Sequence, residues 1–389
     1  MTTSSSARPD LNAFLSLGFR PLYIVGVLWA LVSIGIWIFY PQWISAPFTA
    51  LAWHAHEMLW GFIVTIAVAF LLTASATWTG FNPLKGGSLA GVCLLWVVAR
   101  VGYLAGGTTA FWIAGAAETA FFGISAACLL RVMVKGKSKR NYGVPWLIAG
   151  LGVANLLYLQ ASLQGDYVLL MQRFDLGLIC MAVVALLIGR RVIPFFAMRM
   201  VPGLEIPMLV RSGHIQLAAS VAAIILGLFS LKLLMAVGLV IAGVIALWQL
   251  VLWKPMAVLH KPMLWILYLG YGLMGIGLLF AAVHTAGWGA GVLARAATHV
   301  HIIGMGGFAV LIIGMLTRTA LGHLGRPLAL DTSMLTSYWL MIASVVLRLA
   351  ALWPSMYMIW LQQAAALAWM ACMVLYLWRF VPILIRPRA

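Results

Sequence analysis

The chain consists almost entirely of apolar runs that are long enough to cross a lipid bilayer as helices. A membrane-spanning helix needs roughly 20 mainly apolar residues, and twelve stretches of the sequence reach that length. We therefore predict an all-α, polytopic integral membrane protein with about twelve transmembrane helices in a single domain, residues 1–389. The predicted spans are 19–40, 54–78, 87–105, 109–131, 144–163, 169–189, 212–230, 232–253, 263–283, 292–317, 333–352 and 354–378.

Composition excludes a soluble protein and argues against nucleic-acid binding. Hydrophobic residues make up 65% of the chain and charged residues only 8%, whereas soluble domains carry about 25% charged residues. The net charge of +17 is explained by lysines and arginines at the cytoplasmic ends of membrane helices. No basic stretch is interleaved with aromatic residues as in a nucleic-acid platform. None of the four cysteines has the spacing of a covalent haem attachment site.

The distribution of basic residues predicts the orientation in the membrane. With the N-terminus inside, all but five of the 24 lysines and arginines fall on the inner side; the five are Arg100, Arg173, Lys232, Arg295 and Arg348. This bias follows the positive-inside rule. It predicts a multi-pass protein of the bacterial inner membrane, surrounded by lipid, with both termini in the cytoplasm.

Titratable side chains gather in the outer half of the predicted bundle. Ionisable groups at membrane depth are costly and are usually functional or paired. Arginines and an aspartate at the outer helix ends, Arg100, Arg173, Arg295 and Asp175, lie near this group. The candidate ligands at the starts of helices two and ten and at the end of helix nine are His54, His56, Glu57, His284, His299 and His301.

Helix geometry separates these histidines into different faces. Residues two apart on a helix point about 200° apart, so His299 and His301 are predicted to serve different centres. His54 and Glu57, three apart, are predicted to share a face. Imidazole at this depth acts as a metal or haem ligand, a proton relay or a structural hydrogen-bonding group, and spacing leaves all three open.

The haem hypothesis makes the most specific assignments. One haem would take His301 from helix ten and either His54 or His56 from helix two, since these lie at matched depth. A second haem would take His299. Arg100, Arg173 and Arg295 would pair with haem propionates.

Several motifs along the whole chain resemble the NnrS family of bacterial membrane proteins. They are GFRPLY (18–23), WHAHEMLWGF (53–62), FLLTASATWTG (70–80), GRRVIPFF (189–196), LGYGL (269–273) and the run from His301 to Leu328 that contains RTALGHLGRPL. The resemblance implies twelve helices, bound haem and copper, and a role in the nitric oxide response. Nitric oxide is then an expected partner, and the electron donor is unknown.

The resemblance has one departure that concerns metal. Relatives often carry a histidine just before the LGY element, where this chain has Tyr268. One bis-histidine haem and one five-coordinate haem would use three of the five outer histidines. Two histidines are left for copper, with Glu57 as a poor third ligand for copper(I). We therefore expect copper to be weakly held, substoichiometric or absent.

A more distant likeness is to the catalytic subunit of haem-copper oxidases and nitric oxide reductases, which suggests an oxidase-like bundle. That subunit has a helix-two haem histidine and a helix-ten His-x-His. Its copper site also uses histidines of helices six and seven, and helix six here has none. No complete reductase active site is present in the sequence.

The alternative function is a secondary transporter of a small anion or metabolite, with a midplane site lined by histidine and arginine. Twelve helices suit a transporter. The loop TGFNPLKGG (79–87) lacks the charged pattern of the major facilitator class, however, and few helices are interrupted mid-span by Gly/Pro pairs. We therefore favour a haem protein acting in the nitric oxide response or in protection from nitrosative stress.

Overall fold

Twelve helices long and apolar enough to cross a membrane are present in a computed structural model that describes residues 8–388. The described part of the chain contains no β-strand. The predicted fold class and helix number are confirmed. In chain order the helices are α1 Phe19–Phe39, α2 Ala50–Thr79, α3 Gly86–Ala105, α4 Thr108–Lys135, α5 Gly143–Gln164, α6 Tyr167–Met200, α7 Val210–Leu228, α8 Lys232–Leu252, α9 Pro262–Thr285, α10 Ala296–His323, α11 Thr332–Ala350 and α12 Met358–Leu384.

Helix ends differ from prediction where a helix continues beyond its most apolar stretch. Helix α6 was expected to end at residue 189 but runs on to Met200, through Arg190 and Arg191. Hydropathy detects only the part of a helix that crosses the apolar layer, whereas backbone hydrogen bonding continues until a residue interrupts it. The break between α7 and α8 is real, because Ser230 has a φ of 58°, which a helix cannot contain.

Two of the helices contain a long π-helical segment. In α2 it spans Glu57–Val64, and in α10 it spans Ile302–Ala309. Each segment follows directly after a His-x-His pair. π-Helical turns are rare and are frequent at functional sites.

The chain divides into two compact units. Unit 1 comprises residues 1–156, 316–334 and 373–389, and its described residues are 8–156, 316–334 and 373–388. Unit 2 comprises residues 157–315 and 335–372. In unit 1, α3 packs along α4, and α1 packs along α2, including its π-helical segment. In unit 2, α8 packs between α7 and α9.

Glycines allow α9 to approach the π-helical segment of α10 closely within unit 2. A Cβ atom added at Gly277 would lie 2.5 Å from Ile303, and one added at Gly270 would lie 2.8 Å from Leu311. Small residues at membrane helix interfaces permit this kind of backbone approach. The contact holds the helix turn that carries His299 and His301 against α9.

Candidate functional site

A closed ring of four ionisable side chains lies at the start of the π-helical segment of α2. The ring, called here the charge ring, consists of His56, Glu57, Arg100 and Glu118. Arg100 Nη1 donates to Glu57 Oε2 at 2.6 Å, and Arg100 Nη2 contacts Glu118 Oε1. His56 Nδ1 lies 2.8 Å from Glu57 Oε1, and His56 Nε2 lies 3.1 Å from Glu118 Oε2. The four side chains come from α2, α3 and α4, so the ring ties these helices together.

Charge balance explains how such a ring is tolerated inside membrane-spanning helices. Each of the four side chains is at most 2% exposed. Both nitrogens of His56 face oxygen acceptors, so the imidazole is satisfied as a double donor. Two carboxylates are then balanced by a guanidinium and an imidazolium. Buried charges are tolerated when they are paired and hydrogen-bonded in this way.

Three neutral donors and acceptors complete the ring. Asn155 Oδ1 lies 2.9 Å from His56 Nε2, and Asn155 Nδ2 donates to Glu118 Oε2 at 2.7 Å. The Tyr103 hydroxyl also donates to Glu118, at 3.0 Å. The Trp29 indole donates to Glu57 Oε2 at 2.5 Å. All the donors named here belong to unit 1.

Gly61 provides the space in which the charge ring sits. A Cβ atom at this position would lie 2.5 Å from Arg100 Nη1 and 2.6 Å from Glu57 Oε2. Both distances are shorter than real Cβ contacts, so any side chain here must displace the ion pair. The π-helical backbone presents this bare face to the guanidinium.

His54 lies apart from the charge ring. Its imidazole stacks on the Trp37 indole of α1, with ring centroids 4.7 Å apart and an angle of 7° between the planes. Like His54, Glu57 contacts α1, where it accepts from Trp29, but Glu57 also contacts His56, which His54 is not shown to do.

A second group of histidines lies in unit 2. His299 is buried, and its Nε2 lies 3.0 Å from Asp175 Oδ1 of α6. The ring of His284, at the end of α9, lies 4.7 Å from the ring of His299, and its Nδ1 lies 3.0 Å from the Ala294 carbonyl oxygen. His284, His299 and His301 are called here the histidine group.

His301 points to a different neighbour from His299, as the 200° separation predicts. Its Nδ1 lies 2.6 Å from the Ala297 carbonyl oxygen, so this nitrogen carries the proton. Its Nε2 is left as the acceptor, and Arg348 Nε of α11 donates to it at 3.2 Å. The imidazole is thus held by a backbone carbonyl in one fixed tautomer.

The predicted propionate arginines have different environments. Arg100 is held by two carboxylates in the charge ring and is not directed towards an external anion. Arg295 is exposed, and its Nη1 donates to the Leu352 carbonyl oxygen at 2.8 Å. Arg173 is half-buried. Tyr268, which directly precedes the LGYGL motif, donates its hydroxyl to the Trp253 carbonyl oxygen at 3.0 Å.

The sequence-based site omitted Glu118, Asn155, Asp175 and Arg348. Glu118 was detectable, because it is a lone carboxylate within an apolar run and such residues are usually paired. Asp175 was noted at the outer end of its helix but was not assigned a role. Arg348 carried a similar signal as one of the five basic residues on the outer side, whereas Asn155, a neutral residue, carried none. Among residues 8–388 no three His, Cys, Asp or Glu side chains form a group that could hold a metal ion.

The comparisons with known proteins agree with the resemblance found in the sequence. The model of a family described as NnrS protein matches residues 13–388, nearly the whole chain. No curated protein matches the chain.

Proposed function

Because the chain belongs to the NnrS family, we propose that it is a haem protein of the nitric oxide response, with histidines as haem ligands. A multi-pass membrane protein of this family fits that role. A ferrous haem with an open axial position binds nitric oxide. The observation that carries the proposal is the hydrogen bonding of the histidine group.

Each histidine of the group has one ring nitrogen tied to a protein oxygen. His301 and His284 use Nδ1 against backbone carbonyls, and His299 uses Nε2 against Asp175. The second nitrogen of each ring is therefore unprotonated, and in His301 it accepts a hydrogen bond from Arg348 Nε that a haem iron would replace. Metal-ligating histidines typically donate their other N–H to a carboxylate or backbone carbonyl, which fixes the tautomer and the ring orientation.

The buried Nδ1 atom of His299 supports this interpretation further. Within residues 8–388 it has no hydrogen-bond partner. A buried acceptor without a partner is uncommon and calls for an explanation such as a bound ion or water. His284, whose ring lies 4.7 Å away, is the histidine best placed to share a ligand with it.

In α2 we assign the ligand role to His54 in preference to His56. Both ring nitrogens of His56 are engaged by the charge ring and Asn155, and replacing either contact with a metal would leave buried carboxylates unbalanced. His54 is stacked on Trp37 outside that ring. Of the proposed propionate partners, Arg295 and Arg173 remain candidates.

The test is the absorption spectrum of the protein purified from cells supplied with haem, together with its His301→Ala variant. We expect a Soret band in the native protein and loss of a low-spin haem component in the variant. His214→Ala is the matched control, since His214 is an exposed histidine of α7. A native protein without a Soret band, or a His301→Ala spectrum identical to the native one, would refute the assignment.

Metal analysis against haem content tests the copper part of the proposal. Among residues 8–388, Asp175 lies beside His299, whose ring is close to that of His284, no three such side chains form a group that could hold a metal ion, and a carboxylate suits harder ions than copper(I). We expect less than one copper per chain, removable by a chelator. A copper that remains at one per haem after chelation would mean that the ligand set is larger than the one proposed.

We also propose that both termini are cytoplasmic and that the histidines lie towards the periplasm. The support is the asymmetry of lysine and arginine together with the even number of helices. A reporter that is active only in the cytoplasm should be active when fused after Ala389. Activity of a periplasmic reporter at the same position would exclude this topology.

A further inference from the structure

Several buried polar atoms without hydrogen-bond partners lie in unit 1, where the start of α1 meets the last part of α12 and the residues after it. The set, called here the terminal cluster, consists of Arg20 and Tyr23 of α1, Tyr376 of α12, and Arg386. Within residues 8–388 no hydrogen-bond partner meets Arg20 Nε, Arg386 Nε or the two tyrosine hydroxyls. Their proximity within one unit is unusual, because buried polar side-chain atoms are nearly always hydrogen-bonded.

Contacts join the members of the terminal cluster. Arg20 Nη1 donates to the carbonyl oxygens of Leu384 and Arg386, at 2.9 and 2.6 Å. Tyr23 follows Arg20 by three residues and so lies one turn further along the same face of α1. Tyr23 and Tyr376 are close enough to influence each other electrostatically, and Thr319 of α10 lies beside Tyr23.

Aromatic rings flank these polar atoms. The Phe19 ring lies 5.6 Å from the Tyr23 ring and 5.6 Å from the His323 ring. The Phe380 ring stacks on Tyr376 with centroids 4.7 Å apart. Flat apolar surfaces with a few convergent polar groups are typical of sites for small ligands.

The available chemistry is that of hydrogen-bond donation to oxygen. The guanidinium of Arg20 can only donate, and a phenol donates readily. The unpartnered donors of α1 and α12 fall into two places, the two tyrosine hydroxyls and Arg20 Nε, and Arg20 precedes Tyr23 by about one helical turn along α1. A ligand with two acceptor oxygens on opposite sides of a flat ring matches that arrangement.

We propose that the terminal cluster binds the ring of an isoprenoid quinone, with Tyr23, Tyr376 and Arg20 donating to its carbonyl oxygens. A neutral ring is favoured over a lipid phosphate because Tyr23 is fully buried, and bringing a charged phosphate to that depth costs far more than bringing a carbonyl. This proposal is independent of haem binding.

The experiment measures binding of a short-chain ubiquinone to the full chain purified in detergent, and the quinone and phospholipid extracted from it. The test variant is Tyr23→Phe combined with Tyr376→Phe, which removes two hydroxyl groups and no ring. Tyr271→Phe is the control, because Tyr271 is a buried tyrosine of unit 2 whose hydroxyl donates to Gln249 at 2.7 Å. Losing two hydrogen bonds should weaken quinone binding roughly tenfold or more, and the control should bind like the native protein.

Three results would overturn the proposal. One is absence of quinone binding above that of empty detergent micelles. Another is unchanged binding in the double variant, which would make the hydroxyls irrelevant. The third is co-purification of phospholipid without quinone, lost on Arg20→Gln, which would identify a lipid headgroup site. The thermal stability of the double variant verifies its folding, since removing buried hydroxyls without partners should not destabilise the quinone-free protein.

Discussion

Two helices of this protein share one arrangement, a His-x-His pair followed at once by a π-helical segment, yet they surround their histidines with different chemistry. In α2 the residue after the pair is Glu57, and in α10 it is Ile302. Glu57 pairs with Arg100, and Arg100 also pairs with Glu118. The two carboxylates together contact both ring nitrogens of His56. In α10 an apolar residue stands in that place; within residues 8–388 the buried Nδ1 of His299 has no hydrogen-bond partner, and His301 Nε2 accepts from Arg348.

The difference shows that the backbone does not decide the role of these histidines. The same π-helical turn follows both pairs, and the neighbouring charged residues determine whether an imidazole becomes part of an ion network, as His56 does. The charge ring therefore has the properties of a structural element, whereas the histidine group has the ring-nitrogen hydrogen bonds on which the haem proposal rests. Substitutions in the two regions should separate these roles.

The largest expected effect comes from removing the guanidinium of the charge ring. Arg100→Gln leaves two buried carboxylates with one cation, and removing one partner of a buried ion pair typically costs about 3–5 kcal/mol. Arg348→Gln is the matched change in the histidine group, where Arg348 meets a neutral imidazole and no carboxylate within 4.0 Å among the described residues. We expect a large loss of thermal stability in detergent only for Arg100→Gln. Equal losses in both variants would show that the comparison is wrong.

A double substitution tests whether the four groups act as one ring. Arg100→Gln with Glu118→Gln removes one cation and one anion, so the remaining Glu57 and His56 stay balanced. The double variant should be more stable than the sum of the two single losses predicts, by about 0.5–3 kcal/mol for directly interacting residues. Additive losses measured by thermal unfolding would mean that the ring members contribute separately.

Gly61 of α2 and Gly304 of α10 allow the two π-helical segments to be compared by their tolerance of an added methyl group. Gly61→Ala places a methyl group 2.5 Å from Arg100 Nη1, and overpacking typically costs about 1–3 kcal/mol. Gly304 occupies the π-helical segment of α10, and a Cβ atom there would have no neighbour within 4 Å. Gly304→Ala should therefore be neutral or slightly stabilising. A stable Gly61→Ala protein would show that the ion pair can shift at little cost.

Apolar length predicted the helices because membrane spanning depends on local sequence. It predicted α1 almost to the residue, at 19–40 against Phe19–Phe39. Apolar length did not predict the end of α6 or the two π-helical segments, because these features leave no distinct hydropathy signal. The histidines were found as titratable groups at membrane depth. Their partners were not, because the pairing of Arg100 with Glu118, or of His299 with Asp175, arises from tertiary packing between helices.

The smallest effect is expected at a partly exposed ion pair between Asp331, which directly precedes α11, and Arg379 of α12. Arg379 Nε donates to Asp331 Oδ2 at 2.5 Å in unit 1, and the two side chains are 32% and 39% exposed. Exposed ion pairs contribute about 0–1 kcal/mol to the free energy of unfolding. This pair therefore shows how much an arginine–carboxylate contact stabilises the protein when solvent reaches it. Asp331→Asn is the suitable change, because Asn also caps a helix start and only the charge is lost.

The pH dependence of this small effect has a definite sign. Burial tends to raise the pKa of the Asp331 carboxyl, but hydrogen bonds from Ser333, Arg379 and the Met334 amide outweigh it and hold the pKa below its ordinary value. The carboxylate therefore stabilises the folded state above the pKa of an unfolded aspartate, about 3.9, and this contribution is lost as the pH falls through the folded-state pKa. The difference in thermal unfolding temperature between the native protein and Asp331→Asn should be small at pH 7 and should shrink towards zero in acid. A difference as large as that of Arg100→Gln, or one that grows as the pH falls, would show that solvent exposure does not distinguish this pair from the charge ring.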